Sequence, residues 1–280
     1  MSKGGEVIVR NMRFDFAGAP MMWAPNKAFS TTINAGSPSA VAFENYLAKV
    51  MARTRDALAD RDPALRREID LFIAQEGHHY RVHKAYNRQL FAAYPRVKEF
   101  EDELAAALNH RLETRSLVEN LAFSAGFENF ACYMAKYQFS RGLAHFDGAE
   151  PRMAMLWKWH AAEEYEHRTA CNHALRALGS NYLIRVRGLF DFLRLLLEWQ
   201  GRLVAYMLDV DRMTMTEGER AESVRLKQRL DRELMGYILP RMLRIFIPYY
   251  DPAPVRAPQA LQDALDEYEK VALRPTPVTA

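Results

Sequence analysis

Two four-residue turns in this 280-residue chain carry the side chains best suited to chemistry. Glu76-Gly77-His78-His79 and Glu164-Tyr165-Glu166-His167 each set a carboxylate and an imidazole three residues apart. On a helix that spacing puts both groups on one face, where they can reach the same metal ion. A single E-x-x-H turn arises by chance in any Glu-rich helix. A pair is informative when each is preceded by a glutamate at a matching distance. Glu44 lies 32 residues before Glu76, and Glu128 lies 36 before Glu164. Two helices of about twenty residues with a short turn between them give that separation, so each half of the chain reads as an antiparallel pair. Bundles that take one E-x-x-H from each of two helices, and one Glu from each of two others, hold two ions between them.

Histidines extend both rows. His83 lies one turn beyond His79, and His160 one turn before Glu164. Each has two roles open to it, as a further ligand or as a hydrogen-bond partner of a ligand carboxylate. The candidate ligand set is therefore Glu44, Glu76, His79, His83, Glu128, His160, Glu164 and His167. Mixed carboxylate and imidazole donors suit iron first, with manganese or zinc as alternatives. Glu163 and Glu166 lie off the line through Glu164 and His167 and are expected to support the ligands from behind or to lie at the surface, although Glu163 also competes with Glu164 as a ligand and is the candidate general base if the reaction is hydrolytic. His78 points about 100° away from His79 and is expected to be solvated or structural. Cys132 and Cys171 follow ligand positions by one turn and are expected as buried thiols near the metals. Tyr133, Tyr137 and Tyr165 are core residues or electron-transfer aromatics. Arg10, Arg13 and Asp15 show no spacing that suggests catalysis.

The elements that would position these groups are helices. Residues 1–36 read as an irregular leader with Gly18, Pro20, Pro25 and Gly36. Ser37-Pro38 reads as a cap that opens a helix to about Asp60, and Asp62-Pro63 repeats the signal for a second helix to Ala93. A helical pattern from Val97 to Arg141 has a break near Arg115, and Gly142 ends it. Pro151 opens a helix that reaches Leu178, with Gly179 past its end. Between 182 and 210 the polar residues Arg187, Asp191, Arg194, Glu198 and Arg202 form one narrow stripe among apolar neighbours. That helix is expected to be mostly buried, with membrane-surface docking or the wall of an apolar substrate tunnel as alternatives. It has no apolar run long enough to span a bilayer. Thr216 and Glu219 form a capping box for a last long helix, bent or ended near Pro240. The expected organisation is an irregular leader over 1–36, a helical domain over 37–250 with extra C-terminal helices, and a Pro-rich peripheral tail over 251–280.

A net charge of +3 implies neither a nucleic-acid groove nor an acidic tail. Two cysteines cannot make a disulfide framework. With no targeting pattern in Met1 to Arg10, the expected location is the cytoplasm, with peripheral contact to the inner membrane face left open. The expected partners are a small-molecule substrate, an electron-donor protein and a second copy of the chain, and no nucleic acid.

At these residues the chain resembles the bacterial predicted metal-dependent hydrolases, a branch of the ferritin-like superfamily. The likeness is carried by Val9-Arg10 through Phe14-Asp15-Phe16, by Phe72-Ile73-Ala74-Gln75-Glu76 with His79 and His83, and by Phe127-Glu128-Asn129-Phe130. Its most specific stretch is Leu156-Trp157-Lys158-Trp159-His160-Ala161-Ala162-Glu163-Glu164-Tyr165-Glu166-His167. It covers roughly residues 7–250 and departs at Tyr249-Tyr250-Asp251-Pro252, where the family tends to carry a His-Pro-Trp-Asp-like turn. The resemblance implies an all-α, ferritin-like four-helix bundle with additional C-terminal helices. It also supports Glu44 as a ligand. The row His160, Glu164, His167 is in addition similar in spacing to that of di-iron arylamine N-oxygenases. The leading expectation is a di-iron oxidase or oxygenase that uses dioxygen on a small aromatic or lipid-like substrate. Phe72, Phe127, Phe130, Trp159 and the apolar 189–204 helix are expected to wall its pocket. The alternatives are hydrolysis by a metal-activated bridging water, and ferroxidase or iron handling. A metal-free bundle would leave many ionisable groups buried on facing surfaces, at a high cost.

Overall fold

The computed structural model describes residues 7–59 and 61–272, and within them every regular element is helical. The helices are α1 (Lys27–Asn34), α2 (Gly36–Leu58), α3 (Pro63–Ala93), α4 (Val97–Thr114), α5 (Leu117–Gln138), α6 (Pro151–His167), α7 (Ala170–Ala177), α8 (Tyr182–Met213), α9 (Glu217–Met242) and α10 (Gln259–Ala272). The chain is an all-α helical bundle. α2 packs on α3 and α5 on α6, while α2 meets α5 and α3 meets α6 and α7. α4 lies outside on α2, α8 and α9 cross α5, and α10 covers α6.

Local chemistry accounts for most boundaries. Asp62 caps α3 by accepting from Leu65 N, with Pro63 in the first turn. Ser116 and Glu119 close a capping box at α5, which is the break expected near Arg115. Thr216 and Glu219 do the same for α9.

Several expectations are corrected. The leader holds a helix, α1, capped by Asn26. α2 starts at Gly36, and Ser37 does not cap it, because its hydroxyl is used inside the bundle (below). α5 ends at Gln138, and Gly142 lies within a 3-10 turn, Arg141–Phe146. The helix expected from Pro151 to Leu178 is broken at Arg168–Thr169 into α6 and α7. The last long helix does end near Pro240 as expected: the proline lies inside α9, which stops two residues later at a 3-10 turn, Leu243–Phe246. The expected leader and tail also include residues 1–6 and 273–280, and the first helix was expected to reach Asp60; these lie outside the described residues. No helix among the described residues is long and apolar enough to cross a membrane.

α8 buries one face only. Leu189, Phe192, Leu196, Trp199 and Leu203 are buried, while Leu183, Phe190 and Leu197 are exposed. Its buried face approaches α5 very closely, because Gly188 and Gly126 carry no side chain at the crossing. A Cβ at Gly188 would overlap the carbonyl group of Ala122, and one at Gly126 would meet Leu189 Cα at 3.1 Å.

Gly201 lies on the same helix with nothing within 4 Å of an added Cβ. Alanine is the better helix former by about 1 kcal/mol, so thermal denaturation of Gly201→Ala should show a gain of that order at most. Gly188→Ala should show a loss of ~1–3 kcal/mol from overpacking. An equal gain in both variants would contradict the close crossing.

Candidate metal centre

Glu44 of α2, Glu76 and His79 of α3, Glu128 of α5, and Glu164 and His167 of α6 converge in the middle of the bundle, all buried. The periodicity of each helix brings its row inward, and the break after His167 follows the last of them. The groups form two overlapping sets. Glu44, His79, His160 and Glu164 offer ligand atoms within 4.8 Å of one another, and so do Glu76, Glu128, Glu164 and His167. Glu164 belongs to both sets.

Buried polar atoms normally find hydrogen-bond partners. Here both carboxylate oxygens of Glu44, Glu76, Glu128 and Glu164 have none, nor do Nδ1 of His79 and Nδ1 of His167. His167 Nδ1 lies 3.0 Å from Glu76 Oε1 without the alignment of a hydrogen bond, and His79 Nδ1 lies 3.5 Å from Glu164 Oε1. Donor atoms crowded in this way, aimed at a common space instead of at each other, fit ligands of a cation. The residues present therefore fit a pair of ions.

The far sides of the two imidazoles are engaged. His79 Nε2 is 2.9 Å from Glu163 Oε2, and His167 Nε2 is 2.7 Å from Gln75 Oε1. Each bond fixes the ring with Nδ1 toward the centre. Arg10, buried in the leader, donates to Glu163 at 3.1 Å and to Glu166 at 2.8 and 3.2 Å, while Gln75 Nε2 donates to Ile8 O and Glu166. Burial by itself pushes Glu163 up, but the hydrogen bond to His79 and the charges of His79 and Arg10 outweigh it and hold the carboxyl below its ordinary range. Arg10 and Gln75 were not recognised as site residues from spacing, although both lie in stretches that carry the family resemblance.

Glu163 is thus an orienting partner of His79. Enclosed and tied to Arg10 and His79, it is not placed as a general base. His83 belongs to neither set of ligand atoms. Its Nε2 is 2.8 Å from His160 Nδ1 and its Nδ1 2.9 Å from Ser37 Oγ. Ser37 donates to Asn87 Oδ1, and Asn87 Nδ2 donates to Glu101 Oε2, both at 2.5 Å. Followed back from the Glu101 carboxylate, which only accepts, the donors make His83 a neutral ring that accepts from His160 Nδ1–H. Burial, then the charge of His79, depresses His83 to about 3, in keeping with that neutral state. His160 is left with a lone pair on Nε2, 3.5 Å from Glu164 Oε1.

Phe72 and Trp159 pack behind the imidazoles of His167 and His79 and do not line the adjoining cavity. His78 is buried against Trp159 instead of solvated. Cys132 and Cys171 are buried free thiols outside both ligand sets, with Cys171 Sγ 3.7 Å from Met51 Sδ. The cavity, about 230 Å³, runs beside His160 and Glu164 between α1, α2, α5, α6, α8 and α9, walled by Phe43, Phe127, Phe130, Phe192, Leu196 and Val204. His160 keeps 14% side-chain exposure because one edge of its ring borders this space.

The family described as predicted metal-dependent hydrolase matches residues 8–255 of this sequence, and the chain belongs to that family. No curated protein and no solved structure gave a match.

Two measurements test the centre. Metal analysis of Glu164→Ala should show loss at both positions, whereas His160→Ala should spare the set built on Glu76, Glu128 and His167; equal stoichiometry in Glu164→Ala and the parent chain would refute a shared ligand. Burial, reinforced by their carboxylate neighbours and offset at Glu44 by His79, raises Glu44 and Glu128 well above ordinary carboxyl values. Metal ligation needs the charged forms, so binding should release protons and tighten as pH rises. Calorimetry in buffers of different ionisation enthalpy reads that release directly, and binding without it would contradict the raised values.

Proposed function

We propose that this member of the predicted metal-dependent hydrolases is a two-metal enzyme that cleaves an ester or related acyl compound with an apolar body lying in the cavity. The observation that carries the proposal is the sharing of Glu164. One carboxylate serves two ligand sets and also borders the apolar cavity. When bound, a metal pair polarises an acyl oxygen and lowers the pKa of a water for hydrolysis, or, if iron, supplies electrons to dioxygen. The chain's own residues do the rest. Glu163 and Gln75 fix the imidazoles, and the His83–Ser37–Asn87–Glu101 chain turns His160 Nε2 toward Glu164. The aromatic wall excludes water from the edge where substrate lies.

The cavity also favours a substrate with some polarity. Trp157 Nε1, Gln138 Oε1 and Gln200 Oε1 border it as buried atoms without hydrogen-bond partners. A cavity of 150 Å³ holds a benzene ring, so this one suits on the order of ten carbons. Donor chemistry leaves manganese, zinc and iron all suitable.

Oxygen activation is the second reading, and one observation favours it. With Glu163 locked away, His160 and Glu164 are the only carboxylate or imidazole groups on the cavity wall among the described residues. Oxidation of an apolar substrate asks less of side-chain acids and bases than ester cleavage does.

A series of p-nitrophenyl esters of increasing acyl length, assayed with manganese-, zinc- and iron-loaded protein, separates the two. Hydrolysis that needs metal, rises toward medium acyl chains and disappears in Glu164→Ala is the expected result. Dioxygen uptake by the ferrous protein with no ester turnover under any metal would sink hydrolysis and establish the second reading.

A further inference from the structure

Eleven of the thirteen large apolar side chains exposed among the described residues sit on α8, on α9 or in the segment after α9. Such clustering marks an interaction site more often than scattered exposure does. Leu183, Phe190 and Leu197 recur every seven residues along α8 and are 72, 56 and 64% exposed. Met235, Leu239 and Leu243 recur every four residues from α9 onward and are 49, 55 and 59% exposed. The two lines meet where the Phe190 ring lies 5.6 Å from that of Phe246, and Tyr182 Oη donates to Phe246 O at 3.0 Å. The helices that carry this face also wall the cavity with their other sides. Leu196 and Leu234 line the cavity, and the next residues, Leu197 and Met235, stand exposed.

Charge decides what such a face fits. Arg194, Arg232 and Arg244 are exposed on the same segments and have no ion-pair partner among the described residues. Most neighbouring acids are already engaged, Asp191 with Arg111, Asp231 with Lys227, and Glu233 with Tyr137, while Glu198 lies beside Arg202, which is itself paired with Glu103. We propose that the α8–α9 face docks on an anionic lipid bilayer, its leucines and Phe190 entering the headgroup boundary and its arginines meeting lipid phosphates. A second copy of the chain fits less well. Two such faces would bring the guanidinium groups of Arg194, Arg232 and Arg244 from each copy together, with Glu198 to offset them. The docking stands independently of the reaction at the metal centre. It would set the wall of the apolar cavity against the lipid phase.

Co-sedimentation of the full chain with sucrose-loaded vesicles tests this, using phosphatidylcholine alone and phosphatidylcholine with roughly a third phosphatidylglycerol, enough to give the surface an anionic potential. The parent chain should bind the anionic vesicles, more weakly as salt is added, and leave the neutral ones largely unbound. Leu197→Asp with Leu239→Asp should lose that binding. Arg194→Glu with Arg232→Glu, both at exposed positions, should weaken it by about fivefold or more per site. That variant carries the test if circular dichroism shows the aspartate pair to be unfolded. Absence of binding to the anionic vesicles, or binding that neither variant alters, would overturn the proposal. So would light scattering that finds a dimer split by the aspartate pair, since the face would then belong to a second copy.

Discussion

Four carboxylates, Glu44, Glu76, Glu128 and Glu164, meet inside the bundle with all eight oxygens lacking a hydrogen bond. Unpaired buried charges cost several kcal/mol each even after relaxation, and protonation alone would still leave buried acceptors unsatisfied. A pair of divalent cations resolves both difficulties at once, because it supplies the counter-charge and the partners. Much of the surrounding structure follows from that constraint. Gln75 and Glu163 face outward from the centre to hold two imidazoles, and Arg10 comes from the leader to balance Glu163 and Glu166. The leader is therefore part of the site's electrostatics, although it contributes no ligand.

The opposite side of the centre follows another rule. There α5 and α8 cross at Gly126 and Gly188, close enough that either would lose the approach with a larger residue. The crossing places Phe192 against Phe43, Phe123, Phe127 and Phe130. That aromatic packing walls the cavity next to His160. α8 thus belongs to the site without offering a ligand. Its half-exposed apolar character, ambiguous in sequence, reflects two jobs on two faces.

The rows of Glu and His that meet at the centre were legible because helical spacing is a local property. Glu76, His79, Glu164 and His167 are separated by one turn within a helix, and Glu44 and Glu128 by one hairpin. The helices were legible for the same reason, apart from boundaries set by contacts far along the chain. Ser37 has the look of a cap, but its hydroxyl serves Asn87, fifty residues away. The break between α6 and α7 has no proline or glycine to announce it. The partners of the ligands were hidden because they are tertiary. Arg10 reaches Glu163 across 153 residues, and nothing in the spacing of either predicts the other. Glu163, off the ligand line in sequence, was expected to support the ligands or lie at the surface, with a general base as the hydrolytic alternative; its position on the far side of His79 fits the first of these.

These two sides make the metal positions unequal. The set of Glu76, Glu128, Glu164 and His167 is wholly enclosed, with Glu164, at 3% exposure, its most accessible member. The set of Glu44, His79, His160 and Glu164 includes His160, whose ring edge borders the cavity. Approached from the cavity, the second set is met first and the enclosed one only through Glu164. An ion in the enclosed set would then act through charge and through the shared carboxylate, while its neighbour would act by contact. The polar chain from Glu101 through Asn87, Ser37 and His83 ends on His160, the residue at this boundary. A ring that faces an open cavity is the one that most needs its tautomer and orientation fixed from behind. Four side chains, Glu101, Asn87, Ser37 and His83, thus serve that single imidazole.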